Sequence, residues 1–264
     1  MHPMVQFALR ALRGASEQFI RIRERIDVSR EDRVLDTLLE ETARQAESSI
    51  VRQFARGYPQ HGISGRYTPY RQGEGEGSDY HWKIELFHGY ANLAANTPGW
   101  AMSLVSFYKG RAENAVIINP FTDDEYLISR GRGAQFNGKR IRVPSRTGLT
   151  GSRVALGLPE SWMRSRHLPT YLTLAQQLGS QVDVLRATGC PLLDLAELAS
   201  GRVDAAFVLG VDEHDLNVAA LMLKETGALI GGADGSPQVE PEGVLMAAGP
   251  RLYKHLVQVL KPHL

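Results

Sequence analysis

The run AENAVIINPFTDDEYLISRGRGAQFNGKRIRV, residues 112–143, decides the fold of this 264-residue chain. Short apolar stretches in it alternate with turn signals, which are Asn119-Pro120, Arg130-Gly131 and Asn137-Gly138. Asn-Gly between two strand-like runs is a typical hairpin turn. Apolar runs at 82–87 and 101–107 precede this stretch at similarly short spacing. Together they predict an antiparallel sheet.

The chain before this sheet carries a helical pattern. Apolar residues recur at helical spacing over the first 57 residues, which predicts two helices with a break at residues 27–29 and a second helix over 30–56. A loop rich in glycine follows, residues 65–78. Its run Gly-Glu-Gly-Glu-Gly at 73–77 lacks the lysine of a phosphate-binding loop, and its glutamates would repel phosphate.

The pattern changes after Pro144. Strand-like runs then alternate with helical runs, which is typical of an α/β arrangement. The strand-like runs are 154–156, 182–185, 205–209 and 244–248, and the helical runs are 168–178, 191–199, 215–226 and 251–260. The sequence therefore predicts an α+β half, residues 1–147, and an α/β half with a mixed sheet, residues 148–264.

The composition excludes several classes of protein. Thirty Lys and Arg against 29 Asp and Glu leave a net charge of +1, which argues against a large nucleic-acid-binding surface. No apolar run approaches the ~20 residues needed to span a bilayer. Cys190 is the single cysteine, so there is no internal disulfide. We expect a cytoplasmic protein without membrane or direct nucleic-acid contacts.

The order of these elements, together with residues 112–143 and the run Gly-Arg-Val-Asp-Ala-Ala at 201–206, resembles the inositol monophosphatase family and especially its bacterial SuhB-type members. The resemblance covers nearly the whole chain. It implies a layered αβαβα sandwich and a homodimer. Active members of the family hydrolyse phosphate monoesters with two or three Mg²⁺ ions, held by carboxylates, that activate a water and bind the phosphate.

The metal-binding motifs of the family are mostly altered in this sequence. The family's Gly-Glu-Glu aligns with residues 65–67, so a metal-ligating Glu becomes Arg66. The family's Asp-Pro-Ile-Asp-Gly-Thr aligns with residues 85–90. Its first Asp becomes Glu85, its second becomes His88, and its water-positioning Thr becomes Tyr90, while Gly89 is retained.

The remaining family positions show the same loss. The family's Trp-Asp pair aligns with His214-Asp215, so only this Asp is unchanged. A metal-supporting Asp on the second helix falls on Ala43, and a sugar-contacting Glu falls on Val208. The remnant site implied by the resemblance is Arg66, Glu85, His88, Gly89, Tyr90, His214 and Asp215.

Charge argues against Mg²⁺ at this remnant site. An intact family site has four carboxylate ligands, whereas Glu85 and Asp215 here stand beside the cationic Arg66. A guanidinium about 5 Å from a divalent ion costs roughly 6–7 kcal/mol at an effective dielectric of 20. We therefore predict no metal cofactor. Glu85 and Asp215 are the only ligands left if Mg²⁺ does bind.

Two readings of the remaining polar residues stay open. Glu85, His88, His214 and Asp215 would suit Zn²⁺ or Fe²⁺ better than Mg²⁺. The alternative, which we favour, is that they fill an altered cavity by hydrogen bonding.

Arg66 and Cys190 also allow two readings each. Arg66 could bind an anion, but an internal ion pair with Glu85 or Asp215 is the favoured prediction. Cys190 precedes a predicted helix, where a thiol can become reactive. An ordinary buried cysteine is the favoured prediction.

The resemblance leads to two hypotheses of function. The first is a pseudophosphatase that acts as a binding partner or regulator. SuhB-type relatives join transcription antitermination complexes through a Nus factor, so the resemblance implies that machinery as a candidate partner. The rival is a divergent Mg²⁺-dependent inositol or sugar phosphatase that uses Glu85 and Asp215.

Overall fold

The computed structural model describes residues 2–158, 163–232 and 234–263. The chain divides into two compact units, Met1–Lys139 (unit 1) and Arg140–Leu264 (unit 2). The predicted boundary, between residues 147 and 148, lies eight residues after the observed boundary between Lys139 and Arg140. Each unit has its own cluster of buried apolar side chains.

Unit 1 begins with two long helices, α1 (Pro3–Glu31) and α2 (Leu35–Gly57). Pro3 occupies the first turn, where a missing backbone N–H costs nothing. The predicted break at residues 27–29 is wrong, because α1 continues through them. Ile26 and Ser29 are buried and extend the stripe of the helix that faces the core, and Asp27 forms an ion pair with Arg30 one turn later.

Unit 1 also carries a seven-stranded sheet, in the order β1-β2-β3-β4-β5-β6-β7, whose last strand continues two residues past Lys139. The strands are β1 (Gly62–Ser64), β2 (Tyr80–His88), β3 (Ala101–Tyr108), β4 (Arg111–Asn119), β5 (Asp124–Ser129), β6 (Gly133–Phe136) and β7 (Lys139–Ile141). From β2 to β6 neighbouring strands pair antiparallel, as predicted. The short β1, which pairs parallel with β2, was not predicted.

The hairpin predicted at Asn137-Gly138 is confirmed. Both residues have positive φ, 46° and 78°, as a type I′ turn requires. The turn joins β6 to β7 at the edge of the sheet. α1 packs against β3, β4 and β5, and the short helix α3 (Tyr90–Ala94) follows β2.

Unit 2 contains a five-stranded mixed sheet in the order β11-β12-β10-β8-β9. Its strands are β8 (Arg153–Leu156), β9 (Val184–Arg186), β10 (Ala205–Leu209), β11 (Leu229–Gly231) and β12 (Val244–Ala248), and its helices are α4 (Arg164–Gly179), α5 (Pro191–Ala199), α6 (Glu213–Thr226) and α7 (Pro250–Leu260). β8 lies parallel to β9 and β10, whereas β12 runs antiparallel to β10.

All five residues of β10 are buried, because helices cover the sheet. Alternate β10 residues, such as Phe207, pack with apolar side chains of α4 and α7. α5 contacts β8, β10 and β12. In the described part of the chain, no helix has both the length and the apolar character needed to cross a bilayer. The homodimer stays a prediction.

Candidate functional site

The segment aligned with the family's central metal motif, residues 85–90, lies where β2 ends and α3 begins. The pairing of β2 with β3 shifts register between Glu85 and His88, so the strand bulges there. Gly89 follows with φ of 79°, a left-handed conformation that favours glycine. This turn favours glycine, which gives a structural reason for Gly89 although Glu85, His88 and Tyr90 around it are altered.

His88 is held inside unit 1. Its side chain is only 5% exposed, and its Nε2 lies 2.8 Å from Oγ of Ser103 on β3. The resemblance aligns this position with a metal-binding Asp of the family. Here a buried imidazole is anchored by the neighbouring strand, which supports the prediction that hydrogen bonding fills the altered site.

The other two altered side chains of the segment, Glu85 and Tyr90, are also hydrogen-bonded. Glu85 is half-buried, and its Oε1 accepts a hydrogen bond from the backbone N–H of Phe87 at 3.0 Å. The hydroxyl of Tyr90 donates to Asp36 of α2. Burial, with this bond to Asp36 as a second cause, raises the pKa of Tyr90. Tyr90 therefore stays a neutral hydrogen-bond donor at physiological pH.

Arg66 does not make the contact that we predicted with Glu85. Its side chain is exposed, and its guanidinium carbon lies 5.6 Å from the ring centroid of Tyr67. Arg44 of α2 stands over the same ring at 5.4 Å. Among the described residues, Arg66 and Glu85 form no ion pair, so that prediction is wrong. A pair with Asp215 stays a prediction.

Glu47, which the sequence analysis missed, fixes the backbone that carries Arg66. Its carboxylate is 1% exposed and accepts backbone N–H bonds from Arg66, Tyr67 and Thr68 at 3.1, 2.9 and 2.7 Å. The hydroxyl of Thr68 donates to it as well, at 2.6 Å. Successive N–H groups that converge in this way form an anion-binding nest, and here the anion is the protein's own side chain.

Gly65 shows how closely Glu47 approaches the loop. A Cβ at Gly65 would lie 2.2 Å from the Glu47 carboxyl carbon, so only glycine leaves room. One signal in the sequence could have revealed Glu47. It falls on the buried stripe of α2, together with Leu39, Ala43 and Ile50, and a charged residue on a core-facing stripe requires a partner.

In unit 2, the retained Asp215 lies in the first turn of α6. Asp212 caps this helix, and its Oδ1 accepts the backbone N–H of Asp215 at 2.7 Å. The side chain of Asp215 is 6% exposed. His214 is half-buried beside it. Helix capping therefore accounts for the backbone position of the retained Asp.

A cavity of about 100 Å³ in unit 2 brings Asp215 together with Cys190, Asp194 and Val208. Cys190 is fully buried. Burial, and next the charge of Asp215, raise the pKa of its thiol well above the usual value. Cys190 is thus a buried cysteine, as predicted. Val208, which the resemblance aligns with a sugar-contacting Glu, gives the cavity an apolar wall.

We expect Asp194 to make the stability of this unit depend on pH. Burial raises the pKa of Asp194 from 3.8 to about 6. Because the native carboxyl keeps a proton that the unfolded chain releases, stability falls as pH rises from about 4 to about 6. At about 1.4 kcal/mol per pKa unit the loss amounts to about 3 kcal/mol.

We expect Asp194→Asn to flatten this decline, because the amide does not ionise and still accepts the N–H bond that Thr188 donates. Urea denaturation at several pH values between about 4 and 7 measures the slope. Exposed Asp183→Asn is the matched control and should keep the parental slope. Parallel slopes for the parent and Asp194→Asn would show that the buried carboxyl is not responsible.

The donor set of unit 1 does not fit a family-type Mg²⁺ site. Mg²⁺ prefers oxygen ligands in octahedral geometry. Of residues 66, 85, 88 and 90, only Glu85 supplies a carboxylate. Within the described residues of either unit, no group of three or more His, Cys, Asp or Glu side chains is arranged to hold a metal.

Comparison with known proteins agrees with this architecture. The sequence profile of the inositol monophosphatase family matches residues 1–263. The chain is 37% identical to Nus factor SuhB of Pseudomonas aeruginosa, with 100% of this chain and 98% of the relative covered. It is 30% identical to Nus factor SuhB of Escherichia coli K12, with the same coverage.

Solved structures show the same fold. The extragenic suppressor protein suhB of Bartonella henselae superposes with a TM-score of 0.83 at 22% identity, with 100% of both chains covered. An inositol monophosphatase of Thermotoga maritima gives 0.80 at 19% identity, with 99% of this chain and 98% of that chain covered. The implied αβαβα fold type is confirmed, and the chain belongs to the inositol monophosphatase family.

Proposed function

We propose that this SuhB-like protein has lost Mg²⁺-dependent phosphatase activity and acts in the cytoplasm as a binding partner within the transcription machinery. The observation that carries the proposal is His88. A buried imidazole hydrogen-bonded to Ser103 stands at the position that the resemblance aligns with a metal-binding Asp.

Arg66 supports the same proposal. Its backbone is fixed by Glu47 through the N–H bonds of residues 66–68, so the guanidinium sits on an ordered loop. A cation placed where the family has a metal-binding carboxylate opposes a divalent ion. Tyr90 is engaged with Asp36, so its hydroxyl is committed to a contact other than the positioning of a water.

The relatives support the partner role. The proteins from Pseudomonas aeruginosa and Escherichia coli bear the name Nus factor SuhB, and the likeness extends over the whole chain. A function carried by a surface does not require the metal ligands. It is therefore compatible with the altered residues at positions 66, 88 and 90.

The phosphatase half of the proposal is tested with inositol 1-phosphate. We expect phosphate release to be the same with and without Mg²⁺, since ion-bound charge stabilisation is absent. A family member with intact motifs, prepared in the same way, is the positive control. Turnover of about 1 s⁻¹ or more that requires Mg²⁺ would instead establish the divergent phosphatase.

The partner half is tested by binding. Tagged protein incubated with purified RNA polymerase and Nus proteins from the same organism should retain at least one of them at physiological salt. Glu85→Gln should bind equally well, because the proposed role does not use a metal ligand. Failure to retain any of these proteins would contradict the partner role without bearing on the phosphatase result.

A further inference from the structure

His61 of unit 1 lies between α2 and β1, outside every altered motif, and its ring is stacked between two tyrosines. The ring centroids of Tyr58 and Tyr80 lie 4.8 and 4.7 Å from that of His61, with interplanar angles of 26° and 14°. Nε1 of Trp82 donates a hydrogen bond to Nδ1 of His61 at 3.1 Å, and Trp82 is fully buried.

This hydrogen bond fixes the protonation state of His61. An indole N–H can only donate, so Nδ1 of His61 is the acceptor and the imidazole is neutral, with its proton on Nε2. A proton added at Nδ1 removes the acceptor of Trp82, and a buried donor left unpaired is costly. The hydrogen bond and the charged form of His61 therefore exclude each other.

The nearest cation opposes protonation of His61 as well. The guanidinium of Arg71 donates to the backbone carbonyls of Tyr58 and His61 at 3.1 and 2.8 Å. Burial, and next the charge of Arg71, lower the pKa of His61 below its usual value of 6.5. His61 is consequently neutral in the native structure at physiological pH.

The other elements packed against His61 present aromatic rings, those of Tyr58 at the end of α2 and of Tyr80 and Trp82 on β2. His81 lies on the opposite face of β2, because successive residues of a strand alternate. The other charged side chains between β1 and β2 are exposed: Arg66, Glu74, Glu76 and Asp79, of which Asp79 pairs with Lys109.

The segment that carries His61 also anchors a glycine loop, which we define as residues 71–78. Arg71 and Ile63 exchange two backbone hydrogen bonds of 2.9 Å each, and the N–H of Glu74 donates to the carbonyl of Gln60 at 2.8 Å. The carbonyl of His61 itself accepts from the Arg71 side chain. The position of residues 60–63 therefore decides whether the loop can dock.

Glycine is required for this close approach. A Cβ at Gly77 would lie 2.6 Å from Cβ of Gln60 and 3.1 Å from Cδ2 of His61. A Cβ at Gly73 would lie 2.8 Å from the carbonyl oxygen of Gln60. The run Gly-Glu-Gly-Glu-Gly at 73–77 thus allows the loop to pack directly on the segment of His61.

We propose that His61 is a pH switch for the glycine loop: the loop is docked while His61 is neutral, and protonation of His61 releases it. Protonation at Nδ1 breaks the bond from Trp82, and the imidazolium moves away from the indole and from Arg71. The same movement displaces the carbonyls of residues 60 and 61 that hold the loop. Release stops before residues 66–68, because Glu47 binds their N–H groups.

The sign of the pH dependence follows from the two states. In the released loop His61 has its ordinary pKa of about 6.5, whereas in the docked loop its pKa is lower. Below about pH 6.5 the released state binds a proton that the docked state does not. Docking is therefore complete above this pH and weakens as pH falls, by at most about tenfold per pH unit for one proton.

The test is amide hydrogen exchange of the full chain, resolved by NMR and expressed relative to the rate of an unstructured peptide at each pH. We expect the relative exchange of the Arg71 and Glu74 amides to rise severalfold, and at most about tenfold per pH unit, as pH falls from about 6.5 to about 5. The amides around Ile50 on α2 should keep their protection, because the opening is local.

Two variants isolate the imidazole. His61→Asn keeps an acceptor for Trp82 but does not ionise, so the rise in exchange of the loop at low pH should disappear. His61→Gln makes the same change with a longer side chain and decides the question if His61→Asn does not fold. His263→Asn, at an exposed position, is the matched control and should keep the parental pH dependence.

Three outcomes would overturn the proposal. Parental pH dependence of the loop amides in the His61 variants would show that another group titrates. Equal loss of protection in the loop and around Ile50 would show that acid unfolds the whole unit. Loop exchange that does not respond to pH in the parent would show that charged and neutral His61 hold the loop equally well.

Discussion

Glu47→Ala should lower the free energy of unfolding by about 3–5 kcal/mol, because several hydrogen bonds to a charged acceptor, each worth about 1.5–3 kcal/mol, are lost together. The substitution leaves the N–H groups of Arg66, Tyr67 and Thr68 without their acceptor. Each buried donor left unpaired costs about 1–3 kcal/mol. Water that enters the vacated space would recover part of this cost, which keeps the expected total below the simple sum.

Denaturant unfolding followed by tryptophan fluorescence measures the loss, because Trp82 and Trp100 are both fully buried in unit 1. Glu47→Gln should lose less, since the amide oxygen still accepts hydrogen bonds. Glu41→Ala, at an exposed position of the same helix, should stay within about 0.5 kcal/mol of the parent. A loss below about 1 kcal/mol for Glu47→Ala would mean that the loop does not depend on this carboxylate.

Restoration of the family motif should bring back hydrolysis only when several residues change together. We expect the combination of Arg66→Glu, Glu85→Asp, His88→Asp and Tyr90→Thr to raise Mg²⁺-dependent release of phosphate from inositol 1-phosphate by about 100-fold or more. His88→Asp alone should stay within about tenfold of background. Groups that act as a unit in catalysis are strongly non-additive.

The physical reason is that each reversion corrects only part of the donor set. His88→Asp leaves the cationic Arg66 in place. It also replaces a buried imidazole by a carboxylate beside Ser103, which should lower stability. Steady-state phosphate release and thermal melting are measured on the same preparations. Strong turnover from His88→Asp alone would contradict this account.

Part of the structure followed directly from local patterns. α5 and β10 have the predicted bounds, and the Asn137-Gly138 hairpin has the predicted positive φ values. These features depend on side-chain periodicity and on the backbone freedom of single residues. Both can be recognised from residues that are close together in the sequence. The resemblance added the fold type, which the comparisons confirm. It also gave an expected alignment of the altered metal positions on that fold.

The end of α1 could not be located in the same way. Asp27-Val28-Ser29 has the composition of a helix break, but the helix continues because Ile26 and Ser29 extend its buried stripe. Packing against the core outweighs the weak local preference of such residues. The bonds of His88 to Ser103, of Tyr90 to Asp36 and of Glu47 to the loop were equally inaccessible, since they depend on how distant segments meet.

What the sequence by itself determined is therefore the order of the elements, together with the residues Arg66, His88 and Tyr90 at positions that the resemblance aligns with the family's motifs. Only the tertiary structure decided where the replacements go: Arg66 lies over Tyr67, His88 bonds Ser103, and Glu47 holds the loop. The reason is that a charged or polar side chain takes whichever partner packing brings within hydrogen-bond distance. For Glu47 that partner is about twenty residues away in the chain, beyond the range of any local pattern.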